Sequence, residues 1–281
     1  MNTTPSTVLI TGCSSGFGKV TAHLFLARGW NVIATMRRPE SSLFEADERL
    51  LVGELDVTRP ESISQAISEG IGHFGKIDAF VNNAGIGLLS AMEGTPDDLI
   101  RGVFETNTFG VMAANRAIIP HMRERGAGTI INVTSSVGIA PMPFVAAYTA
   151  SKYAIEGFSE SLAYELGLFG IRVKIVQPGL APSTNFAANS GTRPAELIPA
   201  DYSSGVMRYF QSMQEYPTAY TTGDDVAEAV YAAATDGSDS LRYPAGADSV
   251  MLAALRGSLS EADFIERIRS MTGIPIEINR V

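Results

Sequence analysis

The chain has one cysteine, Cys13, and one tryptophan, Trp30, in 281 residues. A single thiol excludes an intrachain disulfide and fits a reducing compartment. Basic residues are also scarce: 21 Lys and Arg against 30 Asp and Glu leave a net charge of −9. Nucleic-acid binding needs a basic face, and the local pair Arg123 and Arg125 is offset by Glu124. The three histidines, His23, His73 and His121, lie far apart without metal-ligand spacing, so no catalytic metal is expected. No run of eighteen apolar residues occurs, and a membrane span is therefore not expected. The opening Met-Asn-Thr-Thr-Pro-Ser carries neither the basic region nor the apolar core of a secretory signal. A cytoplasmic protein is expected.

What the chain does have is apolar material and regular alternation. At 45% apolar it can bury a substantial core. Strand-like runs fall at 7–11, 31–35, 50–54, 79–82, 129–134, 172–177 and, less clearly, 240–243. Helical patterns fall at 19–28, 61–74, 96–123, 148–169, 224–235 and 261–271. Such alternation predicts an α/β fold: a single domain over residues 1–281 built on a Rossmann-type, doubly wound parallel sheet with helices on both faces. Ligands of such sheets bind beyond the carboxyl ends of the strands. Gly12, Asp56, Asn83, Ser135 and Pro178 all fall at or near predicted strand ends and converge on one rim.

Three motifs carry chemistry. The first predicted strand runs into Gly12-Cys13-Ser14-Ser15-Gly16-Phe17-Gly18 and then into a helix. Glycines let the backbone turn sharply and approach a pyrophosphate, while the helix N-terminus offers free N–H groups. Cys13, inside this turn, reads as a small space-filling side chain. Asn82-Asn83-Ala84-Gly85 follows another strand; small residues there admit a cofactor ring, and the Asn side chains can brace neighbouring loops. Tyr148 and Lys152 stand four apart, with Ser135 thirteen residues upstream of Tyr148. On a helix, such a pair shares one face. A cation beside the phenol is expected to lower its pKa from about 10 and suit it to proton transfer.

These segments, with Asn107 in Thr106-Asn107-Thr108-Phe109-Gly110, Asn132-Val133-Thr134-Ser135 and Pro178-Gly179, occur in one order across residues 7–180. In that order the chain resembles the single-domain short-chain dehydrogenase/reductase family. Within it, the similarity is to the branch of hydroxysteroid and retinol-type dehydrogenases and bacterial carbonyl reductases. The resemblance implies that Tyr148 exchanges a proton with substrate, that Lys152 lowers its pKa and binds the nicotinamide ribose, and that Ser135 holds the substrate oxygen. It implies that Asn107 anchors a water leading from Lys152 to solvent; an Asn kinking a long helix is the structural alternative. Gly12, Ser14, Ser15, Gly16, Phe17, Gly18, Asn83, Ala84, Gly85, Pro178 and Gly179 would hold the cofactor, with Asp56 and Val57 at the adenine. Relatives carry a threonine five residues after the proline of Pro178-Gly179; here Ser183 holds that place and Thr184 follows, so either hydroxyl is a candidate for the nicotinamide carboxamide.

The second strand ends in Thr35-Met36-Arg37-Arg38 with no acid before Glu40. A carboxylate there would repel a 2′-phosphate, whereas an arginine binds one bidentately. Arg37, flanked by Arg38, therefore favours NADP(H) over NAD(H); the alternative is a solvated basic turn. Residues 180–222, rich in aromatics, are expected to cover the substrate, or else to be an ordinary helical insertion. The expected activity is interconversion of a carbonyl and an alcohol on an apolar small molecule. The alternatives are an NAD-dependent alcohol dehydrogenase and a non-catalytic nucleotide sensor. Family members commonly form homodimers or homotetramers through the helices that start near Asn107 and Tyr148, and the same is expected here.

Overall fold

The computed structural model describes residues 5–182, 196–215 and 218–274. Its frame is a seven-stranded parallel sheet in the order β3-β2-β1-β4-β5-β6-β7. The strands are β1 (Thr7–Thr11), β2 (Asn31–Met36), β3 (Leu50–Glu54), β4 (Ala79–Asn82), β5 (Gly128–Val133), β6 (Ile171–Pro178) and β7 (Arg242–Ala245). The chain winds outward from β1 to β3, then returns to place β4 on the other side of β1. The reversal lies between β1 and β4, where such sheets form their crevice.

Strands covered on both faces read as continuous apolar runs, as in Thr-Val-Leu-Ile-Thr of β1, buried throughout. Successive side chains supply opposite layers. Val8, Ile10, Val32 and Val81 pack with Phe25, Val226 and Val230 on one face. Leu9, Ile33, Phe80 and Ile130 pack with Ile63, Ile118 and Leu162 on the other. The first layer comes from α1 (Gly16–Ala27) and α7 (Gly223–Thr235), the second from α2 (Pro60–Phe74), α4 (Gly110–Arg125) and α5 (Ala146–Gly167). Helix ends follow local chemistry. Pro60 opens α2 and Gly75, at φ 79°, closes it in the left-handed region. Thr222 and Asp225 form a reciprocal capping box at α7.

Three departures from the sequence reading bear on the site. The helix expected over 96–123 is interrupted: α3 (Asp97–Phe104) passes through a π-helical turn at Glu105–Phe109 before α4 begins. One helix was not anticipated, α8 (Ala247–Ser258), and the aromatic stretch contains α6 (Ser203–Gln214), a helix of the kind its alternative reading allowed. The last strand lies two residues beyond its expected place. With α9 (Glu261–Thr272), α8 packs on Ile139 and Ala140 beside the loop that follows β5. Among the described residues no helix is long and apolar enough to cross a membrane.

Candidate active site

At the end of β1 the chain turns at Gly12, φ 76°, and Gly16, φ 54°. A side chain on Gly12 would stand 2.9 Å from Ala84 Cα, so the turn after β1 lies directly against the loop after β4. Asn83 fixes this approach: its Nδ2 donates to Thr11 O at 2.8 Å, and its N–H donates to Thr11 Oγ1 at 3.0 Å. Gly18 serves packing, since a Cβ there would collide with Asn83 Nδ2 and Gly12 O. Helix α1 opens here with neither an acidic residue in its first turn nor a side-chain cap. Its free N–H groups and positive dipole end suit an anion. Cys13 is buried and donates to Ile10 O at 3.3 Å. Burial pushes the thiol up to about 12 against the opposing hydrogen bond from Thr35, which disfavours the thiolate at neutral pH.

A cavity of about 420 Å³ runs from this turn to α5. It is lined by Gly12, Ser14, Ser15, Gly16 and Phe17, by Arg37, by Asp56 and Val57, by Asn83, Ala84 and Gly85, and by Ser135, Tyr148, Lys152, Pro178 and Gly179. Residues as far apart in sequence as Gly12 and Asp248 thus meet in one place. Gly18, Arg38 and Asn107 do not line it: Gly18 is turned into the close helix contact, and Arg38 points with the exposed turn. Ser183 and Thr184 lie outside the described residues.

Tyr148 and Lys152 sit in the first two turns of α5, both buried. Burial pushes the Tyr148 phenol above its ordinary range, and a hydrogen bond with the Ser135 side chain opposes that rise. The lowering expected from Lys152 is not what dominates here. The ammonium stands 5.7 Å from the centre of the Tyr148 ring and is held by Val133 O at 3.0 Å, so desolvation of the phenol outweighs it. Lys152 itself is brought down to about 8 by burial, with the carboxylate of Glu156 pulling the other way. Asn107, within the π-helical turn, meets both backbone polar groups of one residue: Oδ1 accepts from Ile86 N at 2.9 Å and Nδ2 donates to Ile86 O at 2.8 Å. It also donates to Ser151 Oγ at 3.2 Å, tying the loop after β4 to α5.

Among the lining residues, Met142 and Val145 were not singled out from sequence, whereas Leu180, Tyr209 and Met213 fall in the stretch 180–222 expected to cover the substrate; together they give the cavity an apolar wall. Behind it, Phe144 packs its ring on Tyr202 and Tyr209 from a left-handed backbone, φ 61°. Two carboxylates were also missed. Glu156, one turn beyond Lys152, is buried and accepts from Thr134 Oγ1 at 2.6 Å, Gln177 Nε2 at 3.0 Å and Arg242 Nε at 3.0 Å. Asp248, in the first turn of α8, lines the cavity itself. The spacing of Glu156 from Lys152 was a signal of a kind; Asp248 offered none.

A glycine turn at the switch point of a doubly wound sheet defines the class, a Rossmann-type protein with its site at the strand ends. A family model described as short chain dehydrogenase matches residues 6–194. An uncharacterised oxidoreductase of Schizosaccharomyces pombe is 36% identical over 240 residues, covering 85% of this chain and 100% of its own. A 3-ketodihydrosphingosine reductase of Bacteroides thetaiotaomicron is 37% identical over 211 residues, 75% of this chain and 77% of that protein. The crystal structure of a short-chain dehydrogenase from Streptomyces avermitilis superposes with a TM-score of 0.78 at 32% identity, covering 95% of this chain and 98% of that one. The chain belongs to the short-chain dehydrogenase/reductase family of oxidoreductases.

Proposed function

We propose that the protein is an NADP(H)-dependent oxidoreductase that interconverts a ketone or aldehyde with its alcohol on an apolar small molecule. The observation that carries this reading is that one cavity is lined at one end by the glycine turn and Arg37, and at the other by Ser135, Tyr148 and Lys152. The residues fit a dinucleotide: bare backbone at Gly12 and Gly16, an uncapped helix start, and a cation beyond β2. The nicotinamide, when bound, exchanges the hydride. Arg37 holds the 2′-phosphate, and Asp56 and Val57 face the adenine. The hydroxyl of Ser135 orients the substrate oxygen, and Tyr148 gives a proton to that oxygen in reduction or takes one from it in oxidation. Lys152 binds the ribose and supplies positive charge as the phenol ionises. Met142, Val145, Leu180, Tyr209 and Met213 exclude water from the substrate and favour an apolar one. The ketone-reducing relative fits the same substrate class. We further propose a cytoplasmic homodimer or homotetramer.

The test is a panel of apolar ketones, aldehydes and secondary alcohols, followed by nicotinamide absorbance with each cofactor. Each charge-assisted hydrogen bond contributes about 1.5–3 kcal/mol, or roughly one to two decades in affinity. NADPH is therefore expected to exceed NADH at least about tenfold in kcat/KM. Arg37→Ala removes most of that preference and leaves activity with NADH nearly unchanged. Equal efficiency with both cofactors in the unmutated protein makes the arginine turn a solvated loop.

A further inference from the structure

Asp248 is buried, as is its neighbour Ser249. Its two carboxyl oxygens hold two distant stretches of chain. Oδ2 accepts from Leu180 N at 2.6 Å, just beyond β6, and Oδ1 accepts from Thr221 Oγ1 at 2.6 Å, just before α7. Thr221 N donates to Leu180 O at 3.0 Å and closes the ring. These two residues are the roots of the stretch 181–220, which includes α6. The base of the ring is itself fixed to β6 and β7: Ser249 Oγ donates to Gln177 O at 2.6 Å, and Gly179 N to Ala245 O at 3.0 Å.

Two glycines make room for this arrangement. A Cβ on Gly179 would collide with the Asp248 carboxyl, and one on Gly246, φ 89°, with Thr221 Oγ1. Bare backbone at Gly179 is thus demanded from within the protein, whatever it also allows at the cavity. Leu180 and Asp248 line the cavity shared with Tyr148, and Tyr209 and Met213 from α6 face it from the enclosed stretch.

We propose that Asp248 is a positioning residue which, by joining Leu180 to Thr221, sets where the apolar wall of the cavity stands relative to Tyr148. The proposal rests on reading that cavity as the substrate site. The work is done by the geometry of two hydrogen bonds rather than by charge. Asparagine preserves it: its Oδ1 accepts from Leu180 N, and its Nδ2 donates to Thr221 Oγ1, whose proton turns to Ala245 O, already 3.0 Å away. Alanine removes both links.

The experiment compares Asp248→Ala, Asp248→Asn and Thr221→Val with the unmutated chain. The probes are NADPH titrated by its fluorescence and 9,10-phenanthrenequinone as an apolar diketone substrate. Misplacing a reacting group by a fraction of an ångström is costly, so Asp248→Ala is expected to raise KM for the diketone about tenfold or more. Its NADPH dissociation constant stays within about threefold, because the glycine turn and Arg37 follow β1 and β2, neither of which Asp248 joins. Asp248→Asn stays close to the unmutated protein, and Thr221→Val falls between, which keeps the comparison alive if the alanine variant does not fold. Hydrogen–deuterium exchange gives a reading without substrate: the amides of Leu180 and Thr221 exchange faster in the alanine variant and not in the asparagine one. A folded alanine variant with unchanged KM overturns the proposal, leaving Asp248 a brace of the fold. An asparagine variant as impaired as alanine overturns it in favour of a charge effect. If the unmutated chain turns over neither the diketone nor any member of the panel, the oxidoreductase reading fails, while unchanged exchange at both amides in the alanine variant still overturns the clasp.

Discussion

Tyr148 and Lys152 are separated by one helical turn, and their neighbour one turn further, Glu156, completes a stack of three ionisable groups in the interior of α5. Tyr148→Phe is expected to keep NADPH binding and lower turnover roughly 10²-fold or more, the scale of acid–base catalysis; near-normal turnover in the folded variant removes the mechanism. Lys152 titrates at about 8 because burial disfavours its charge, with Glu156 opposing. In the role proposed for Lys152, the cation that binds the cofactor is therefore lost as pH rises through that value. Glu156→Gln withdraws the opposing charge, so the alkaline loss of NADPH affinity moves to lower pH, which a titration of binding against pH reads directly. The sign for stability is the reverse: above about 8 the native lysine is already neutral while the unfolded one stays charged to 10.5, so stability rises with pH across that interval. The Tyr-Lys spacing was legible because it is local. The burial of Glu156 was not, because its counter-ion, Arg242, is 86 residues away.

At the scale of elements, helices meeting strands decide what the alternation pattern could not. The long helix read over 96–123 is interrupted because Asn107 spends its side chain on the peptide of Ile86, and the π-helical turn carries it there. Helix α6 buries only Tyr209 and Met213, one turn apart, too thin a stripe to separate from an aromatic loop. Strand β7 contains Pro244 and was placed two residues early; its position at the sheet edge is where a proline is tolerated. A pH-sensitive joint lies at the far end of β4, where His121 of α4 accepts from Ile77 N at 3.1 Å. Burial, aided by Arg125, holds this imidazole below its usual 6.5. As pH falls from 6.5 through the lower native value, unfolded chains take up the proton first and the folded state loses stability. Urea midpoints should fall over that interval, and less steeply in His121→Gln; identical slopes in the two proteins exclude the joint.

For the whole molecule, the feature to explain is a second hollow of about 590 Å³, which borders the candidate site at Val57 and Thr58 and is lined by Phe109, Met112, Ile119, Phe158 and Leu162 from α4, α5 and the turn before them. Phe109 is 54% exposed there. Helices α8 and α9 pack elsewhere, beside Ile139 and Ala140. An apolar face of this kind suits a two-fold partner, since self-complementary patches close on themselves. Phe109→Glu is expected to turn an oligomer into monomers by light scattering at micromolar concentration; an unmutated chain that is monomeric there removes the claim. This face was foreseen from the apolar helices, though not its depth, which depends on how α4 and α5 lie side by side.

The contact of the glycine turn with the loop after β4 has a temporal meaning. Thr11 and Asn83 are 72 residues apart, so the turn cannot take its final shape while only the first strand, helix and second strand have left the ribosome. Segments joined over such separations are slow to pair, and α/β chains of this length assemble through partly formed states. The turn after β1 reaches its final shape only once β4 is inserted, and the joint of Leu180 with Asp248 only once β7 and α8 are in place.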